Sequence, residues 1–215
     1  MPAEPQSDPD TTDDPVLAAT EAATEALATV SEAGVETGVL RTGSAVDPVD
    51  ERGDARFGEG RGIPAVDRAL YTPSEPAAFS LLWHLLGAVR GLRSDRDATD
   101  AVRLSVALGV ESALVNGVLK SLVKRERPVA DFDRPHNLRL PVTTSFPSGH
   151  ASAAFCAAAL LSDGRPRTRP LYYGLAAFVA ASRVHVKIHH ASDVLVGAAV
   201  GATVAAMVRR AWPRR

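Results

Sequence analysis

Apolar residues fall along this chain in blocks. From about residue 64 onward, runs dominated by Ala, Leu, Val and Gly cover residues 76–92, 99–123, 149–161, 171–182 and 191–212. None shows the alternation of apolar and polar positions that a half-buried strand requires, so each predicts an α-helix. Residues 66–71 predict a further short helix suited to an interface. Several runs are shorter than the about 20 residues of a perpendicular membrane span, and the mean hydropathy is close to zero. A soluble helical bundle is therefore the alternative. The length of the last run favours a membrane, as does its Gly197-x3-Gly201 pair, which permits close helix packing in lipid. The expected fold class is all-α: a bundle of about five membrane-embedded helices.

Residues 1–60 differ in kind. They are rich in Ala, Asp, Glu, Thr, Pro and Gly and nearly lack aromatics, a composition that cannot bury enough apolar surface to offset chain entropy. A disordered acidic N-terminal region over 1–60 is expected, with a weak Ala-rich helix at 16–30, followed by one helical domain over 61–215. Met1-Pro-Ala-Glu carries neither a basic nor an apolar leader segment, so no signal peptide is expected. Cys156 is the one cysteine and reads as a small core residue.

The near-neutral net charge conceals an asymmetry. Residues 1–60 hold 14 of the 25 acidic side chains but only Arg41, Arg52 and Arg56 among the 24 basic ones, which leaves 21 basic against 11 acidic in the remainder. The basic residues sit between apolar runs and are not interleaved with aromatics, which argues against a nucleic-acid partner.

Three polar clusters carry the chemistry: Lys120-x6-Arg127-Pro128, Pro147-Ser148-Gly149-His150, and Ser182-Arg183-x5-His189-x3-Asp193. His189 and Asp193, four apart at the start of a helix, share a face. Asp193 can accept the Nδ1 proton of His189 and leave Nε2 as a nucleophile; a helix-start His beside a capping Asp is the plainer alternative. Arg183 offers a planar fork to phosphate oxygens. Gly149 and His150 open a helix whose free N–H groups suit an anion, with Ser148 adding a hydroxyl. Lys120 and Arg127 can neutralise equatorial phosphoryl oxygens, although Lys-x3-Lys-Arg-x-Arg could equally anchor lipid headgroups.

In this order and spacing the clusters resemble the type 2 phosphatidic acid phosphatase (PAP2) superfamily, which also includes bacterial acid phosphatases and vanadium haloperoxidases. The resemblance spans roughly residues 75–210. It implies a phosphohistidine formed on His189, His150 as the acid for the leaving alkoxide and then base for water, a cradle of Lys120, Arg127, Ser148, Gly149 and Arg183, and no metal or other cofactor. Where the family more often has aromatic, small or apolar residues, this chain has His185, Lys187 and His190, which could favour a second anionic group on the substrate. A metal held by His185, His189 and His190 is a weaker reading, because neighbouring histidines point apart on a helix.

Loop charges orient the bundle. With the clusters at one end, Arg90, Arg93, Arg96, Arg165, Arg167, Arg169, Arg209, Arg210, Arg214 and Arg215 gather at the other, which the positive-inside rule makes cytoplasmic. The expected protein is a multi-pass enzyme of the inner or plasma membrane with its site facing outside. It would hydrolyse a phosphomonoester or diphosphate of a lipid, polyprenyl types favoured over phosphatidic acid. Its partners are that substrate and membrane lipids; homo-oligomerisation is left open. A vanadium-dependent haloperoxidase and a non-catalytic anionic-lipid binder are the alternatives.

Overall fold

The computed structural model describes residues 46–72, 76–132, 134 and 143–214. Its helices are α1 (Asp47–Gly58), α2 (Pro64–Tyr71), α3 (Pro76–Gly91), α4 (Asp95–Leu122), α5 (Gly149–Leu161), α6 (Arg169–His185) and α7 (Ala191–Ala211). The helix expected at 16–30 lies outside the described residues. Helices α3 to α7 coincide with the five apolar runs. Helix α4 begins four residues before its run because Ser94 caps it, the hydroxyl accepting from Asp97 N at 3.2 Å. It turns π-helical over Ala113–Leu119 and ends with one α turn, Lys120–Leu122.

Helix α5 is the hub, packed against α7, α6, α4 and α3. Its small residues let all four approach: Ala154, Cys156, Ala157 and Ala158 are fully buried, among Trp83, Leu104, Val179 and Val204. Cys156 is thus a core residue. Helix α7 comes closest. A Cβ built on Gly197 would collide with Ser148 O, and one on Gly201 with Ser152 O, both backbone atoms that cannot swing away. Gly201→Val is expected to destabilise the protein by about 3 kcal/mol or more, the upper range for overpacking. Gly174→Ala on α6, where nothing lies within 4 Å, should be neutral or slightly stabilising. Thermal unfolding in detergent compares the two; equal melting temperatures would contradict this packing.

The outward faces are apolar as well. Leu81, Leu85 and Val89 on α3, and Val102, Val106 and Val110 on α4, form stripes at least 50% exposed. Helices apolar on both faces suit lipid better than water. By length and composition α4 and α7 can cross a bilayer, while α5 is apolar but has 13 residues.

Both ends of the bundle carry basic residues. At one end Arg90, Arg103, Arg165 and Arg214 interlock with Asp97, Asp100 and Asp163, including Arg103 Nη2–Asp163 Oδ2 at 2.7 Å and Arg214 Nη2–Asp100 Oδ2 at 2.6 Å. The three sequence clusters occupy the other end.

The expectation of disorder through residue 60 fails for its last part. Helix α1 has Pro48 in its first turn, Asp47 and Asp50 at its positive end and Arg56 near its negative end. It buries no residue of its own. What holds it is tertiary: Gly53 lies flat against Ala191, Phe57 packs against the apolar cluster of Ala151, Ala180, Val184 and Val194, and Asp50 is tied to α7. A composition rule does not detect a helix stabilised by another element's polar groups.

Candidate active site

The tight turn between α6 and α7 presents His189. Ile188 N and His189 N both donate to Arg183 O, at 3.1 and 3.2 Å, which closes the end of α6. Lys187 takes the left-handed conformation there, φ 50°, a position that usually selects glycine. Its ammonium is held by Asp54 Oδ2 at 3.1 Å and Asp131 Oδ1 at 3.2 Å. Ser148 N donates to Asp193 O at 2.9 Å, which fastens the start of α5 to the start of α7 and sets His150 beside the turn.

Asp193 is completely buried and has three neighbours. Its Oδ2 accepts from His190 N at 2.9 Å, capping α7, and lies 3.7 Å from His189 Nδ1. That separation exceeds a hydrogen bond, and such contacts commonly tighten only when substrate binds. The capping reading of Asp193 holds, while the hydrogen bond that would orient His189 is not formed in the free protein. Its Oδ1 accepts from Arg125 Nη1 at 2.6 Å. Arg125 Nη2 in turn donates to Asp50 Oδ2 at 2.5 Å, and Asp50 Oδ1 accepts from Ser192 N at 2.8 Å. A hydrogen-bonded chain runs Asp50, Arg125, Asp193, with His189 Nδ1 3.7 Å beyond its end. Burial works against the Arg125 charge, but Asp193 and Asp50 outweigh it and hold its pKa above the ordinary value.

Sequence reasoning missed Arg125 and Asp50. Arg125 stood in view within the Lys-Arg-rich stretch before Pro128; Asp50 lies in a region with no distinguishing signal.

The expected site residues separate into two groups. Lys120, Arg127, Gly149, His150 and His189 line one cavity of roughly 630 Å³. Arg183, Ser148 and Asp193 are buried behind it. Ser148 Oγ caps α5, accepting from Ala151 N at 3.4 Å. Arg183 donates through Nε and Nη2 to Ser182 Oγ and lies within electrostatic reach of His150. Arg127 also braces the site, donating to Ile188 O at 2.8 Å and Thr144 O at 3.2 Å. A second cavity, roughly 570 Å³, also touches His189 and Arg127 and is walled by Asp47, Asp50, Glu51 and Asp54 of α1.

The additional basic residues are committed elsewhere, which removes the argument for a second anion at that place. His185 Nε2 meets Asp67 Oδ1 at 2.7 Å, Lys187 has its two aspartates, and His190 Nε2 faces Glu126 O at 3.3 Å. Among the described residues no three His, Cys, Asp or Glu side chains converge as a metal would require. Of the connecting loop, Asp131 holds Lys187 and Arg134 donates to Lys187 O at 3.2 Å, while Asp133 and His136 lie outside the described residues.

Burial drives the pKa of His189 down to about 4 from 6.5, although Asp193 pulls it upward. The imidazole is thus neutral, as a nucleophile must be. Between pH 6.5 and about 4 the unfolded chain binds a proton that the folded site refuses, so stability falls as pH falls through this window and is unaffected above it. The loss amounts to about 2–3 kcal/mol at the acid end. Melting temperatures at pH 7.5 and 4.5, for wild type and His189→Gln, check it: the acid-induced drop should shrink in the variant.

Residues 100–215 match the family model described as the PAP2 superfamily. A decaprenylphosphoryl-5-phosphoribose phosphatase of Mycobacterium tuberculosis is 38% identical over 151 residues, 68% of this chain and 79% of that protein. In structure the chain resembles a transmembrane PAP2-type phosphatidylglycerolphosphate phosphatase from Bacillus subtilis, with TM-score 0.66, 22% identity, and coverage of 91% of this chain and 94% of that one. It also resembles LpxE of Aquifex aeolicus, with TM-score 0.56, 23% identity, and coverage of 73% and 92%. At these identities the two structures speak to the fold.

Proposed function

From the premise that this chain belongs to the PAP2 superfamily, we propose that it dephosphorylates a lipid-linked sugar phosphate through a phosphohistidine on His189. The coarser statement stands on the comparisons alone: the protein is a membrane-associated lipid phosphate phosphatase. That sets aside the peroxidase and the non-catalytic readings. The finer substrate, a polyprenylphosphoryl pentose phosphate, follows the relative's activity and no longer leans on His185, Lys187 and His190.

The observation that carries the mechanism is the convergence of His189, His150, Lys120 and Arg127 on one cavity, with Asp193 held behind His189 by Arg125. In the first step Nε2 of His189 attacks phosphorus and the bond from phosphorus to the sugar's oxygen breaks. His150 gives the departing alkoxide a proton. Lys120, Arg127 and the N–H groups at the start of α5 bear the charge on the equatorial oxygens, and Arg183 adds its field from behind. In the second step His150 takes a proton from water, the hydroxide displaces His189 from phosphorus, and inorganic phosphate leaves. Asp193 stabilises the His189 cation that exists between the steps. Asp50 and Arg125 act on Asp193 and are positioning residues.

The bundle would cross the membrane five times with this site outside, since Arg90, Arg165 and Arg214 mark the opposite end as cytoplasmic. One experiment addresses substrate and sidedness together. Purified protein in detergent with a chelator present is assayed for phosphate release from a polyprenylphosphoryl pentose phosphate, a polyprenyl diphosphate, phosphatidylglycerol phosphate and phosphatidic acid. The first should be the fastest; release from none would overturn the proposal. A short-chain, impermeant analogue added to intact cells should be hydrolysed too, and hydrolysis only after permeabilisation would invert the topology.

A further inference from the structure

The cavity holding His150 and His189 continues past the cations along α4. Its walls there carry Ser105, Glu111, Ser112 and Asn116 from α4 and His84 from α3. Polar groups in this position need a reason. The same helix presents Val102, Val106 and Val110 outward, and a hydrocarbon chain asks for nothing else. Glu111 stands out. It is an ionisable residue within a membrane span, where such residues are rare and mark function. It is only 2% exposed, it lines the cavity, and its Oε1 has no hydrogen-bond partner among the described residues. Ser152 is near enough to act as a donor to the carboxylate, but neither its Oγ nor Glu111 Oε1 meets hydrogen-bond geometry in the free protein. A buried acceptor of this kind calls for a donor supplied by a ligand.

The neighbours fit a particular ligand. Asn116 Nδ2 donates to Ser112 Oγ at 3.1 Å, which orients the amide. Asn116 Oδ1 lies 3.6 Å from the position of a Cβ on Gly149, so this amide borders the phosphate cradle. Lys120 is close enough to Glu111 for their charges to interact. Gly109 leaves the wall open: a Cβ there would meet nothing within 4 Å. Between Glu111 and Lys120 the helix is π, a local widening often found at functional sites.

We propose that this wall is a subsite for the hydroxyl groups of a sugar lying between the scissile phosphate and the lipid. Glu111 accepts from a sugar hydroxyl, and Asn116 with Ser112 completes the contact on the cradle side. The inference rests on the reading of His189 as the nucleophile and adds what selects the substrate: a lipid-linked sugar phosphate over a phosphate on a diacylglycerol. Glycerolipid phosphates without a free hydroxyl leave Glu111 unmatched.

The test reads a ratio, kcat/KM for a polyprenylphosphoryl pentose phosphate over that for phosphatidic acid. In Glu111→Gln and Glu111→Ala this ratio should fall about 10- to 100-fold, the range for a hydrogen bond to a charged group. Ring-deoxy analogues of the sugar substrate, assayed with wild type, should show a comparable loss, and that loss should disappear in Glu111→Ala. This arm requires no variant for its first reading, so a poorly folding variant does not leave the question open. An unchanged ratio, or deoxy analogues turned over as fast as the parent sugar, would overturn the subsite. Wild type that releases phosphate from no substrate would instead defeat the phosphatase mechanism.

Discussion

His189→Ala lowers kcat on any lipid phosphate by at least about 10⁴-fold, the scale on which removal of a covalent nucleophile is felt. No neighbour can substitute. His150 lines the same cavity but lacks the Asp193 contact, and His190 is turned to Glu126 O while capping α7. What survives is the electrostatic cradle of Lys120 and Arg127, which stabilises charge on phosphorus without forming a bond to it. The variant should remain folded, because it removes a buried imidazole whose Nδ1 has no hydrogen bond in the free protein. Steady-state phosphate release and a melting curve on the same preparation check both halves. Activity above about one hundredth of wild type, a generous allowance for cradle-only catalysis, would contradict the assignment.

The second large effect is expected away from the reacting atoms. In Arg125→Met, Asp193 and Asp50 lose the cation between them, with side chains 0% and 11% exposed. Breaking one partner out of a buried ion pair costs about 3–5 kcal/mol, because the remaining charge is stranded. Arg125→Lys recovers part of that stability. A single ammonium cannot reproduce the fork that reaches Asp193, Asp50 and Ser192 Oγ at once. Catalysis distinguishes positioning from bulk stability. In Arg125→Lys kcat should fall about 100-fold for a misplaced His189, with KM nearly unchanged because Arg125 does not line the cavity shared by His150 and His189. A matched rise in KM with kcat intact would show that Arg125 binds substrate directly.

The three clusters were legible because charge on an apolar helical chain has few other uses, and because their spacings place each at a helix end. The helices were legible for the same reason: no competing periodicity interrupts them, and Gly197 and Gly201 do pack as a small-residue pair. Less visible was where the acids went. The charge asymmetry between residues 1–60 and the remainder was plain, but its meaning is physical contact: Asp50 on Arg125, and Asp54 on both Arg61 and Lys187. The pairs Asp50–Arg125 and Asp54–Lys187, each more than 70 residues apart, leave no local pattern. The basic residues around His189 looked available to a substrate for that reason, and in the fold they are taken. Ser148 Oγ accepts from Ala151 N as the cap of α5, a role of side-chain direction that spacing does not carry and that leaves its O–H to donate. Glu111 stands alone within an apolar run, with no neighbouring motif to mark it, and only the cavity gives it a role.

Covalent chemistry at His189 is open to one direct measurement. An activated aryl phosphate needs no proton to release its leaving group, so His150→Gln should complete the first step and stall at the second, where water needs a base. Rapid quenching of this variant, followed by peptide mass spectrometry, should find phosphate on His189 as a base-stable, acid-labile adduct. Continued turnover with no phosphoenzyme, or phosphate located on any other residue, would contradict the account.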